Sequence, residues 1–386
     1  MPLFTTAAIA EARAIRQQLH SNPELKYEEH ATADLVAAFL RGHGYQVRTG
    51  VAGTGVVALL DTGRPGPSIG LRADMDALPI QEDTGLPYAS RSPGKMHACG
   101  HDGHTASLLL AAGRLAARHA HLGGRIQLLF QPAEEGGLGA ARMIEEGALD
   151  GVETIFGYHN RPGYPLGQVF AKAGPSMGGS SLYEVGIGGK GGHASRPDLT
   201  VDPIFVGAAV VQALQGVVAR CLSPLESGVV TVTRFLGGNS QNVIPGQATL
   251  TINTRDGSPE AAAVVDEALR RIVAQVCQAH GARAELVQTL RIPALVNDTA
   301  QTAFVVETAI EVLGAEKAGY MHQLPTMGAE DFAFYLEKVP GCYFFVGNGE
   351  DGAYLHHPRY DYRDEILPVA AGMFVALAER RLRPLS

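Results

Sequence analysis

Apolar residues recur at helical spacing near residues 5–20 and 27–42, after which the rhythm shortens to compact aliphatic runs. "GVVALLD", "PSIGLRA", "GRIQLLFQP" and "TIFGYH" read as strands, while "TASLLLAAGRLAARHA" between them returns to the helical period. Strands alternating with helices predict an α/β layer fold whose sheet is largely buried.

From about Ser176 the pattern changes. A strand "SLYEVGIGG" is followed by a helix after Asp202–Pro203, the strands "GVVTVTRFLGG" and "QATLTINTR", a long helix after Ser258–Pro259, and the strand "RAELVQTL". This β-α-β-β-α-β order predicts a ferredoxin-like antiparallel sheet under two helices. Past Pro293 the helix-rich α/β pattern resumes and runs to a C-terminal helix from about Asp364. The economical division is a discontinuous domain, 1–175 with 294–386, interrupted by an inserted domain, 176–293, with hinges near Gly174–Gly179 and Ile292–Val296.

A length of 386 residues exceeds what one ordinary core supports, which agrees with two domains. The net charge of -8 and the lack of any Lys/Arg run exclude an electrostatic footprint for nucleic acid or a membrane surface, leaving a small-molecule or peptide-sized partner as the expectation. Four scattered cysteines without a C-x-x-C pair fit a reduced protein and disfavour a zinc knuckle. No basic leader precedes the first apolar residues, and no apolar run approaches the roughly 20 residues that span a bilayer, so a soluble cytoplasmic protein is expected.

The rare residues are concentrated. "MHACGHDGHT" (96–105) holds three histidines, one cysteine and one aspartate in a chain with 14 His and 4 Cys. Imidazole and thiolate bind borderline-soft divalent cations, and Cys99 and His101, two apart, face one side of an extended segment. His97 and His104 read as turn and helix-start residues. Other candidates follow predicted strands: Asp74 and Asp76, Glu134 and Glu135, and His159, with His356 and His357 late in the chain. Any one of them alone is an ordinary cap or surface residue, but ligands in open α/β sheets gather beyond the carboxyl ends of strands. Of two adjacent carboxylates, one can ligate a metal while its neighbour faces an acidified water, which is the arrangement of a metallohydrolase. "GGKGGHASRP" superficially matches a phosphate loop, but Lys190 precedes Gly191 rather than Ser or Thr, so nucleotide binding is rejected.

Across "RADMDALP", "MHACGHDGHTA", "FQPAEEGGLGA", "GYHN", "GKGGHAS", "QNVIP" and "LHHPRYDY", the whole chain resembles the metal-dependent amidohydrolases. These include hippurate hydrolase, N-acyl-amino-acid deacylases and auxin-conjugate hydrolases, with carboxypeptidase G and aminoacylase-1 as more distant members. The resemblance implies a zinc-peptidase-like catalytic domain, an inserted domain used for dimerisation, and two divalent ions per subunit, Zn, Mn, Co or Ni. It implies Cys99, His101, Glu135, His159 and His356 as ligands, Glu134 as general base and Asp76 as the carboxylate orienting the site. His356 is favoured over His357 by the "HxP" register.

The resemblance further implies that His193 stabilises the oxyanion, commonly in the partner subunit's site, and that Asn242 and Arg255 hold the substrate's free carboxylate, for which an Arg fork is suited. Glu330 and Asp331, in an apparent first helical turn, receive no role. The expected reaction is hydrolysis of the amide of an N-acyl amino acid by a homodimer or dimer-based oligomer. A dipeptidase or exopeptidase on the same site is the alternative within hydrolases, and a non-catalytic ligand sensor is the alternative outside them. Glu134 speaks against the sensor, which needs no base beside a metal.

Overall fold

The computed structural model describes residues 3–321 and 326–383. The chain divides into two compact units, one comprising Met1–Gly174, Asn297–His322 and Phe334–Ser386, the other Pro175–Val296 with Gln323–Ala333.

The first unit is α/β. Its eight-stranded sheet has the order Gln46–Val51, Gly55–Asp61, Arg125–Gln131, Ser68–Asp74, Thr154–Arg161, Gly341–Gly347, Val169–Ala171, Ala318–Tyr320. The four strands Arg125–Gln131, Ser68–Asp74, Thr154–Arg161 and Gly341–Gly347 run parallel to one another, with Asp74 opposite Gln131 and Phe345 opposite His159. Their carboxyl ends therefore lie along one edge of the sheet; the segments carrying Asp76, Glu134 and Glu135 start there, and His159 lies near the end of its own strand. Every residue of Ser68–Asp74 and of Gly341–Gly347 is buried. Full burial on both faces explains why these strands show no alternation of apolar and polar positions, with Arg72 and Asp74 buried along with the apolar residues.

Helix Thr6–Ser21 starts where expected, with the Thr5 hydroxyl accepting from Ala8 N–H. Helix His101–Arg118 is buried along most of its length and packs against Thr6–Ser21 and the C-terminal helix Leu367–Arg381. It begins at Gly100, whose φ of +92° is one that side chains resist. A Cβ at Gly100 would also come within 2.3 Å of Asn160 Nδ2 and 2.5 Å of the Tyr360 hydroxyl. Only glycine fits, and the His101 backbone is thereby seated close to the sheet.

The second unit carries a four-stranded antiparallel sheet, ordered Gly228–Gly237, Gln247–Asp256, Gly179–Gly188, Arg283–Ile292. Helix Pro203–Leu214, capped by Asp202, and helix Pro259–Ala279, capped by Ser258, cover one face. Along Gln247–Asp256, Ala248, Leu250, Ile252 and Thr254 point to the core while their neighbours do not, which is the period-2 signature of a one-sided sheet. The first of the expected helices breaks at Gln215 and continues as Gly216–Cys221.

Candidate metal centre

Cys99, His101 and His159 place their ligand atoms within 4.8 Å of one another, and so do Cys99, Glu135 and His356. The two groups share Cys99, and all five residues belong to the first unit. Glu134 joins His101 and Glu135 in a third group of the same size.

Local hydrogen bonds aim the imidazoles. His101 Nδ1 lies 2.9 Å from the Asp76 carbonyl and 3.2 Å from its Oδ1. A carbonyl only accepts, so Nδ1 carries a proton, and Nε2, buried and without a hydrogen-bond partner, is the nitrogen that would turn to a cation. His159 is set in the same way: Nδ1 donates to the Asn160 carbonyl at 2.7 Å, and Nε2 lies 3.4 Å from Cys99 Sγ. The other oxygen of Asp76 accepts from Glu135 N–H at 2.9 Å. Asp76 thus ties one imidazole to the Glu134–Glu135 turn, an outer carboxylate of the kind that fixes metal ligands.

His356 reaches the group from the far end of the chain. Its Nε2 is 3.0 Å from Glu135 Oε1, its backbone N–H donates to the Ala98 carbonyl at 2.7 Å, and its φ is +65°. Ala133, directly before Glu134, also has a left-handed φ of +55°, with its N–H held by the buried Glu29 carboxylate at 2.9 Å. Non-glycine residues in this region cost about 1–3 kcal/mol each, and both flank the donor group. His357 is exposed, with its Nδ1 accepting from Arg359 N–H at 3.1 Å.

The electrostatics favour a cation. Burial alone would lower His101, but Asp74, Asp76 and Glu135 outweigh it and raise the imidazole to about 10. Burial, reinforced by Glu135, Glu134 and Asp74, holds the Cys99 thiol well above its usual range. Burial would raise Glu135, yet His356 and His101 pull it down. A pocket that protonates its imidazole and its thiol is short of positive charge, and a divalent ion supplies it. Thiolate, imidazole nitrogen and carboxylate are all donors that divalent metals accept.

Asp74, His101 and His104 also fall within 4.8 Å. Asp74 and His104 are already committed there. The Asp74 oxygens face His104 Nδ1 at 2.6 Å and Arg72 Nη1 at 2.7 Å, and His104 Nε2 accepts from Asn160 N–H at 3.1 Å. Both Asp74 oxygens and both His104 nitrogens thus already hold hydrogen bonds. His104 does lie in the first turn of helix His101–Arg118, as read from sequence, and it is also a buried link between two strands. His97 is buried too, and burial brings it down to about 4.

The remaining candidates lie in the second unit. His193 pairs with Val243 in a two-strand ladder, and Ala194 N–H donates to the Asn242 carbonyl at 3.0 Å, so His193 and Asn242 are neighbours. Ser195 N–H donates to His193 Nδ1 at 3.1 Å, which puts the imidazole proton on the exposed Nε2. Arg255 sits near the opposite end of strand Gln247–Asp256, facing Ser180 and Val229. From Gln247 to Arg255 the extended chain covers about 26 Å, so Asn242 and Arg255 of one chain do not meet on a single carboxylate. Glu330 and Asp331 are buried and precede the short helix Ala333–Leu336 instead of opening it, with Glu330 accepting from Phe332 N–H at 2.9 Å.

A model of peptidase family M20/M25/M40 matches residues 70–380. The chain belongs to that family. It is 39% identical over 375 residues to hippurate hydrolase of Campylobacter jejuni, covering 97% of each chain, and 41% identical over 368 residues to N-acetylcysteine deacetylase of Bacillus subtilis, covering 94% and 95%. Among solved structures it resembles the Bacillus subtilis YXEP protein, described as a dinuclear metal binding peptidase of family M20, with TM-score 0.86, 35% identity and coverage of 99% and 100%. This member of the family is an amidohydrolase, and its clustered donors fit divalent metal.

Sequence reading overlooked Asn160, Tyr360, Arg16, His20 and Asp102. Asp102 Oδ2 lies 2.8 Å from His20 Nδ1 and 3.6 Å from Arg16 Nη1, with all three side chains buried. These residues are spread over 345 positions of sequence, and only their burial as polar groups marks them out.

Proposed function

We propose that this protein hydrolyses the amide bond of N-acyl amino acids, hippurate-like or N-acetylated, releasing a carboxylic acid and a free amino acid. Cys99, His101, Glu135, His159 and His356 would hold two divalent ions. When bound, such ions polarise the scissile carbonyl and acidify water near neutral pH. The observation that carries the reading is the placement of Glu134 beside His101 and Glu135, directly adjoining the donor groups. Its carboxylate takes a proton from water at Oε and returns it to the departing amine.

Asp76 keeps His101 and Glu135 in register while this happens. His193 presents an Nε2–H donor suited to a developing oxyanion, worth on the order of 3 kcal/mol when well placed. Arg255 offers a two-pronged donor for the substrate carboxylate. Because His193 and Asn242 lie far along the sheet from Arg255, we assign them to the site of a second copy in a homodimer. The exposed apolar side chains Val229, Phe235 and Leu236 on the edge strand Gly228–Gly237 support such pairing. Cys99 serves as a ligand only while reduced, and all four cysteines are free, which favours the cytoplasm.

The test is Glu134→Gln, assayed with hippurate, N-acetyl amino acids and dipeptides after metal loading. Turnover should be lost while metal content is retained. Unchanged turnover overturns the mechanism, and preference for dipeptides by the parent protein overturns the substrate class.

A further inference from the structure

Asn160 follows His159 on strand Thr154–Arg161 and is fully buried. Its groups are all engaged. Nδ2 donates to the Cys99 carbonyl at 2.7 Å and lies 3.1 Å from His104 Nε2, the backbone N–H donates to that same nitrogen at 3.1 Å, and the backbone carbonyl accepts from His159 Nδ1 at 2.7 Å. Oδ1 accepts from the Tyr360 hydroxyl at 2.6 Å.

Each of these partners leads to a different proposed ligand. The Cys99 carbonyl belongs to the loop that bears the thiol. His104 lies one helical turn from His101 and is anchored in turn by Asp74 and Arg72. Tyr360 closes the turn that begins near His356, with its N–H donating to the His357 carbonyl at 2.9 Å. His159 is oriented by the Asn160 backbone itself. Gly100, whose missing side chain lets Asn160 and Tyr360 approach, completes the arrangement.

We propose that Asn160 is the positioning residue of the metal centre, joining the segments that carry Cys99, His101, His159 and His356 into one donor set of fixed geometry. Its side chain must donate in one direction and accept in the other. Only a carboxamide does both at once in this volume, because an aspartate would set its negative oxygen against the Cys99 carbonyl. Asn160 touches no substrate, and it acts through its neighbours. The inference rests on the metal centre proposed above.

The experiment measures zinc and manganese dissociation constants of the purified full chain by competition with a chromophoric chelator, for the parent, Asn160→Asp, Asn160→Ala and Tyr360→Phe. Circular dichroism and melting of the metal-free proteins are recorded alongside. Asn160→Asp conserves volume, so a packing role predicts parent-like metal affinity, whereas positioning predicts a loss of about 10–100-fold, as for other outer partners of metal ligands. Tyr360→Phe, which keeps the ring, should lose a smaller factor and guards against misfolding of the Asn160 variants. Metal affinity within twofold of the parent in folded Asn160→Asp, or in Tyr360→Phe should the former not fold, overturns the proposal. Failure of the parent to bind metal overturns the metal centre itself, a separately visible result.

Discussion

Cys99 Sγ stands 3.4 Å from His159 Nε2, although the two residues are 60 positions apart and reach each other only through the parallel strands of the sheet. The same thiol is common to both donor groups, so it is the single atom whose loss should disturb both. Cys99→Ala is expected to weaken zinc binding by about 100-fold or more, exceeding the usual loss on removing an outer partner. Cys99→Asp, which restores an anionic donor of harder character, should shift the preference from zinc toward manganese. Isothermal titration with both metals checks this, and equal zinc affinity in Cys99→Ala would remove the thiol from the centre.

Asp76 links His101 to the turn bearing the proposed base. Asp76→Ala should reduce metal affinity by about 10–100-fold and lower kcat more than it raises KM. Chelator competition and steady-state kinetics on metal-saturated enzyme separate the two effects. A variant with an unchanged metal constant would show that the Asp76 contacts are incidental.

The buried Arg16, His20 and Asp102 group predicts a defined pH dependence of stability. Burial would lower His20, but Asp102 outweighs it and lifts the imidazole from 6.5 to about 9. Asp102 itself is pulled below its ordinary range: burial opposes this, and His20, His97 and Arg16 prevail. A raised histidine stabilises fully below its unfolded value and loses that contribution as pH rises through about 9. A depressed aspartate stabilises above its unfolded value and loses that contribution as pH falls. The pair therefore helps most between about pH 4 and 6.5. His20→Phe should cost on the order of 2–3 kcal/mol at pH 6 and much less above pH 9. Melting of metal-free parent and variant across this range decides it, and an equal deficit at both ends would contradict the assignment.

His193 lies beside Asn242, and Arg255 lies near the far end of strand Gln247–Asp256; assigning His193 to the site of a second copy predicts complementation. Glu134→Gln and His193→Ala should each be nearly inactive alone. Unfolded and refolded together, they should regain up to about one quarter of parent activity, since half of randomly mixed dimers are mixed and half of the sites in those are intact. No recovery, with mixed dimers shown to form, would place His193 in the site of its own chain.

Much of this is legible in the sequence. Strands such as Ser68–Asp74 and Arg125–Gln131 announce themselves as apolar runs because both faces are covered, and chemistry collects at their carboxyl ends for reasons of topology. The residues that hold the donors in place were not legible. Asn160 is a neutral amide whose role depends on what the Gly100 backbone and Tyr360 bring to it, and neither spacing nor composition encodes that meeting. The bridging role of His104 is not legible because its partners, Asp74 and Asn160, lie 30 and 56 residues away. The family resemblance pairs Asn242 with Arg255, yet the extended strand Gln247–Asp256 between them separates the two within one chain.

The most direct measurement is anomalous diffraction from crystals of the zinc-loaded protein at the zinc edge. Two peaks are predicted, both adjoining Cys99, one bounded by His101 and His159 and the other by Glu135 and His356, with zinc–sulfur separations of about 2.3 Å. Peaks remote from Cys99, or zinc held without its sulfur, would contradict the account.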